Sequence, residues 1–280
     1  MSEPAYILQN EPSCNVHLCQ VCENVSCGAC CGLYNIAGLS RKKLVELLRQ
    51  RTGSFSTVPR EMEAILEFGR KIESEISQGR PFPEFHHCPF IGFIGPMRER
   101  VGCMLHPEIP LNHKIDYRGL SDYGGLACHT YFCPSNRLLT PVIKRMILQS
   151  VDDWYLYGLV ITEHRLLTHF FNRVEGRLER PLTEEDALGS ERFSEAIREF
   201  LSLKSGWPYR EPPDSTPCNY FFSDGAYRKP PVVYPDPQQP PSPFHDLFHE
   251  LTSRFDSTES LRAAEECLSD LIDRIVCAID

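Results

Sequence analysis

Apolar residues return at helical spacing in two stretches of this chain and lose that spacing between them. Ser40 stands before Leu44, Leu47, Leu48 and Arg51, which predicts a capped helix. Thr57 and Pro59 open a second, with Met62, Ile65, Leu66, Ile72 and Ile76 on its apolar face and Gly79 at its end. From residue 80 to 139 the period disappears, and the chain reads as turns carrying Cys, His, Gly and Pro, with short strands. Thr140 as cap and Pro141 as first helical residue restart the helices. Ile143, Ile147, Val151 and Trp154 form one stripe, and Leu159, Leu166, Leu167, Phe170, Phe171 and Val174 form another after Gly158. Ser190 caps a helix with Phe193, Ile197, Phe200 and Leu201. Ser257 caps the last, whose stripe is Leu261, Ala264, Leu268, Leu271, Ile275 and Ile279. The proline-rich segment 207–243 reads as extended, irregular chain. The pattern predicts a mostly α protein. Residues 1–139 form an irregular, cysteine-rich, metal-binding lobe, and residues 140–280 form a C-terminal helical bundle. The bundle is expected to pack against the lobe with Trp154, Phe170 and Phe171 buried.

The irregular stretch cannot bury enough apolar surface alone, so a metal centre is the expected organiser. The 13 cysteines favour this reading, because most fall before residue 140 and an odd number cannot all pair as disulfides. Met1 to Asn10 has no basic and then apolar leader pattern, and no run is apolar enough to span a bilayer. The expectation is a cytoplasmic chain with reduced thiols. A net charge of -9 argues against a general nucleic-acid binder and against adhesion to anionic membrane. At 280 residues the chain can bury one large core or two smaller ones.

Two thiolates approach one ion most readily from one short loop. Cys27 and Cys30 have that spacing, as do Cys19 and Cys22, while Cys128 and Cys133 offer a wider pair. Gly28 permits a tight turn between the first two. Cys88 and Cys133 each precede proline, which stiffens the turn beside the sulfur. Adjacent Cys30 and Cys31 seldom serve one mononuclear ion, so either two metals share the region or one thiol packs inward. Cys27, Cys30, Cys88, Cys103 and Cys128 are expected to converge. His86, His87 and His106 are candidates to complete or tune a site. His245 and His249 share a face if their segment is helical. Cys267 and Cys277 are expected in the core of the last helix. Cys14 and Cys218 receive no role. Arg41, Lys42 and Lys43 read as a solvated helix face. No phosphate-binding glycine loop, nucleophile elbow or dinucleotide fingerprint is present.

The order CGACC at 27–31, CPFI at 88–91, GCMLH at 102–106 and CHTYFC at 128–133 resembles the YkgJ-type cysteine-cluster proteins, described as zinc- or iron-chelating domains. The resemblance covers roughly residues 22 to 133. It implies ligands at Cys27, Cys30, Cys31, Cys88, Cys103 and Cys128, with Cys133, Cys22 and Cys19 as further candidates. The first spacing departs from the family's, as does His129 where arginine is usual, and residues 107–125 read as an insertion. The implied cofactor is a 4Fe–4S cluster or zinc. Three functions follow: a metal-binding protein, with electron transfer as one role; an S-adenosylmethionine-dependent protein lysine methylase, since GCMLH and LACHTY also resemble the flagellin lysine methylases; or a zinc-stabilised scaffold for a protein partner.

Overall fold

The computed structural model describes residues 16–22, 24–35, 40–76, 87–97, 99–211 and 229–279. Gly79, His86, Cys14 and Cys218 lie outside the described residues, as do residues 212–228 of the proline-rich segment. The chain is mostly helical. Helix α1 (Arg41–Ser56) starts where Ser40 accepts a hydrogen bond from the Lys43 backbone N–H. Helix α2 (Met62–Ile76) follows, then a hairpin of β1 (Ile91–Ile94) and β2 (Arg100–Cys103), paired antiparallel with Ile91 opposite Cys103. Two short helices, α3 (Gly124–Thr130) and α4 (Ser135–Leu138), complete the irregular stretch.

The second half is α5 (Pro141–Ser150), α6 (Trp154–Val160), α7 (His164–Leu178), α8 (Glu191–Gly206), α9 (His245–Glu250) and α10 (Thr258–Ile279). Thr140, Ser190 and Ser257 cap as their positions predict, accepting from the N–H groups of Ile143, Phe193 and Ser260. The stripe from Ile143 to Trp154 is not one helix. Asp153 accepts from the N–H groups of Tyr155 and Leu156 and starts α6 afresh after a break. No helix among the described residues is long and apolar enough to cross a membrane.

Helix α10 packs on α7 and α8, α5 and α6 pack on α8, and α1 lies on β1. Phe170 of α7 stacks on Phe200 of α8 with ring centroids 3.4 Å apart. Trp154, Phe170 and Phe171 are all buried. One apolar core runs from Leu18 and Tyr34, through Ile91 and Val101, to Leu268 and Ile275, and so joins both halves of the chain. A smaller core holds Phe55, Ile65, Phe68, Ile72, Cys88, Phe90, Met104 and Leu105. On α2 it buries Ile65 and Ile72 as predicted, but Met62 is 62% exposed and Phe68 is buried in its place, because α2 turns toward Phe55 and Phe90.

Gly158 is a point of close approach between the halves. A β-carbon there would overlap the ring and hydroxyl of Tyr34, which is buried and donates to the Trp154 carbonyl at 3.1 Å. Gly to Ala inside a helix ordinarily stabilises by about 1 kcal/mol. Gly158→Ala is expected to reverse that sign and cost about 1–3 kcal/mol through overpacking, read as a lower urea midpoint at unchanged slope.

Four charges are buried behind α7. Glu163 accepts from Lys204 Nζ at 2.6 Å and from Lys229 Nζ at 2.7 Å, and Lys229 also reaches Glu250 Oε2 at 2.5 Å. None of the four side chains is more than 5% exposed. Burial alone would raise Glu163, but the two ammonium groups outweigh it and hold the carboxyl down to about 2. Burial would lower Lys229, and its two carboxylate neighbours raise it instead. Nearby, Arg254 N–H donates to the Tyr209 carbonyl at 2.8 Å, Glu211 N–H to Thr252 at 2.7 Å, and Phe255 N–H to Val233 at 2.9 Å. These bonds close the base of the last helical pair.

Candidate metal centre

The CGACC run is shaped by its glycines. A β-carbon on Gly28 would press on the Ile91 side chain of β1 and crowd Val101 of β2, so the lack of a side chain lets this turn sit close against the hairpin. Ala29–Cys31 form a single 3-10 turn, ended by Gly32 in the left-handed region at φ 71°. The preceding loop folds back so that Cys27 N–H donates to the Cys19 carbonyl at 2.8 Å. Cys19 and Cys27 therefore face one another. Cys133, just before α4, arrives on the same side.

Cys19, Cys27, Cys30 and Cys133 line one cavity with Leu18, Tyr131, Ile161 and Thr162. Its volume is about 20 Å³, room for one water-sized sphere. Burial pushes the Cys19 thiol up to about 12, and the neighbouring Cys30 and Cys133 sulfurs add to it. Cys27 is raised well above the usual thiol range by burial and by Cys30, against a weak bond from the Ala29 N–H at 3.5 Å. Burial and Cys30 also raise Cys133.

A second group lies on the other side of the same turn. Cys88 N–H donates to the Cys31 carbonyl at 2.8 Å, which fixes the CPFI step beside Cys31. Cys103 closes β2, and Met104 N–H returns to the Phe90 carbonyl at 2.9 Å. Cys128 of α3 sits 3.3 Å from the Ser121 hydroxyl. Cys88 is raised above the usual thiol range by burial and then by Cys103 and Cys128. Cys103 is pushed up to about 12 by burial, with Cys128 adding and Arg118 opposing. Cys31 donates to the Cys30 sulfur, which raises Cys31 and lowers Cys30.

Two guanidinium groups flank this second set. Arg51 is only 1% exposed, and its Nη1 donates to His87 Nε2 at 2.6 Å. Its Nε and Nη2 have no hydrogen-bond partner. Burial lowers Arg51 to about 10, and Cys88 opposes that shift. Arg118 grips Asp116 through Nε at 2.9 Å and Nη2 at 2.6 Å, and Cys103 and Cys128 further favour its charge. Arg51 holds a stripe position of α1, after Leu44 and Leu48 and before Phe55. An arginine on an apolar stripe was the readable signal of a buried counter-charge. Arg118 carried no such signal.

The predicted site residues thus divide. Cys19, Cys27, Cys30 and Cys133 share one side, and Cys31, Cys88, Cys103 and Cys128 the other. Cys22 is exposed and does not line the cavity. His87 spends both ring nitrogens: Nδ1 donates to the Gly32 carbonyl at 2.8 Å while Nε2 accepts from Arg51. In this arrangement it orients the turn rather than ligating. His106 accepts from the Glu108 N–H at 3.2 Å, and His245 meets the Tyr234 hydroxyl at 2.9 Å. Cys267 is half-buried against the main core. Cys277, expected there too, is exposed because it falls on the outer face of α10. Arg41, Lys42 and Lys43 are exposed. Among the described residues, no three Cys, His, Asp or Glu side chains already stand where one ion could be held. The donor chemistry fits a thiophilic metal, four thiols to a side. The sulfurs must still turn inward to close on it.

No family model matches the chain, and neither the curated proteins nor the solved structures give a match.

Proposed function

We propose that this chain is a metal-binding protein of the YkgJ type, whose cysteine lobe is built around tetrathiolate coordination of zinc or of an iron–sulfur cluster. The resemblance rests on the four motifs alone. The observation that supports the reading best is the cavity walled by Cys19, Cys27, Cys30 and Cys133, which come from segments more than a hundred residues apart. Free thiols raised by burial gain little by meeting there, and a cation that binds them as thiolates explains the gathering. A cavity of about 20 Å³ favours a single ion, because a four-iron cluster would have to part its walls.

The methylase reading needs a pocket for S-adenosylmethionine. The larger cavity between α1 and the hairpin, about 280 Å³, is lined by Phe55, Phe93, Ile94, Met104 and Leu111 with Arg60. Arg60 already donates to Asn112 Oδ1 at 2.8 Å, and among the described residues no carboxylate lines the space to meet a ribose. Metal binding therefore stands first.

Anaerobic purification with metal analysis and an absorption spectrum tests the proposal. A colourless protein with stoichiometric zinc supports the single-ion form. A brown protein whose visible absorption bleaches on reduction supports the cluster and an electron-transfer role. A chain that carries neither metal, and takes up neither on reconstitution, overturns the reading.

A further inference from the structure

We propose that the eight thiols form two abutting four-thiol centres, Cys19, Cys27, Cys30 and Cys133 in one and Cys31, Cys88, Cys103 and Cys128 in the other, each binding its own thiophilic divalent cation. This rests on the metal-binding reading and adds the number, membership and separateness of the sites.

Three observations carry the division. The first four sulfurs wall one small cavity from which the other four are absent. The second four are gathered differently: Cys31, Cys88 and Cys103 meet at the smaller core, with Cys88 N–H on the Cys31 carbonyl, and Cys128, beside Ser121, neighbours Cys88 and Cys103. The two sets meet at the adjacent residues Cys30 and Cys31. Adjacent residues of a 3-10 turn point about a third of a turn apart, so one serves each side. Four thiolates complete a tetrahedral ion, and eight complete two.

Charge supplies an independent argument. Four thiolates less the two positive charges of the ion leave two negative charges, which burial penalises unless they are paired. The second centre has Arg51 beside Cys88, buried and with Nε and Nη2 unpartnered among the described residues. A buried guanidinium left half-satisfied is costly in itself, and an anionic centre at Cys88 gives it a partner. The first centre is walled by Leu18, Tyr131 and Ile161, and the cation beside its Cys133, Lys144, already donates to the Asn136 carbonyl at 2.6 Å. The two sites should therefore differ in affinity.

Zinc titration of the full-length chain, stripped and reduced under anaerobic conditions, reads the stoichiometry. Two equivalents per chain are expected. Cys27→Ser and Cys103→Ser should each halve the bound zinc, and the double variant should bind none. Arg51→Met should weaken one equivalent roughly 10- to 100-fold and leave the other unchanged. Cobalt substituted for zinc should give thiolate charge-transfer absorption that halves in each single variant. A single equivalent in the unsubstituted chain overturns the two-centre proposal and leaves metal binding intact, a result that needs no variant to fold. Failure to bind zinc, cobalt or a reconstituted cluster at all overturns both.

Discussion

On the metal-binding proposal, chelation of the purified chain is expected to strip amide hydrogen-exchange protection from the Ala29–Cys31 turn and from β1 and β2, while α7, α8 and α10 keep theirs. Binding of structural zinc by thiol sites is worth about 10–16 kcal/mol. That equals or exceeds the whole stability of an ordinary domain, about 5–15 kcal/mol. The cysteine turn and hairpin have few regular hydrogen bonds of their own, one four-residue strand pair and one 3-10 turn. The late helices hold each other through Phe170, Phe200, Leu268 and Leu271, with none of the eight candidate thiols among them. Exchange followed by mass spectrometry, before and after chelation, checks the pattern. Loss of protection everywhere at once would show that the shared core makes the chain a single cooperative unit. No loss anywhere would show that the metal is not structural.

Glu163→Ala is expected to destabilise the chain by about 3–5 kcal/mol, because it leaves Lys204 and Lys229 buried without their shared carboxylate. In a chain this long that corresponds to a fall in melting temperature on the order of 10 °C. Glu163→Gln keeps the shape and should still lose most of the effect, which separates charge from packing. The wild type should show the same interaction as a pH dependence. The folded Glu163 carboxyl lies near 2, against an ordinary value of 4.5. Its contribution is fully present above about pH 4.5 and is lost as pH falls toward 2, since the unfolded chain takes up the proton first. Denaturation curves between pH 2 and 6 should steepen this loss in the wild type relative to Glu163→Gln. Equal pH profiles for the two would remove Glu163 from the account.

Much of the helical half could be read from the chain because its determinants are local. Ser40, Thr140, Ser190 and Ser257 cap as expected, since a hydroxyl and the N–H groups three residues on meet through local geometry alone. The break before α6 escaped because Val151 and Trp154 are both buried, so the apolar stripe continues across a change of direction that only Asp153 announces. On α2, Ile65 and Ile72 are buried as the stripe predicts, but Met62 is exposed and Phe68 buried because the partners, Phe55 and Phe90, come from other elements. At the site, residue types announced the chemistry, but side was invisible: nothing in the sequence says that Cys30 turns toward Cys133 and Cys31 toward Cys88. Cys19 over Cys22 is likewise a matter of how the loop closes, through the bond from Cys27 N–H to the Cys19 carbonyl. Lys204 could have been noticed, a lysine on the buried stripe of Phe193, Ile197 and Phe200.

Tyr209, Glu211 and Val233 bond to the 252–255 backbone, and Lys229 reaches the Glu250 carbonyl at 3.0 Å. Residues 209–211 and 229–233 therefore meet in the same small region. Residues 229–280, supplied as a separate polypeptide, would still find these backbone partners, with α10 seated on α7 and α8 and α9 on α7. The cysteine lobe would then remain on the longer fragment, with every candidate thiol, available for metal work on half of a reassembling pair.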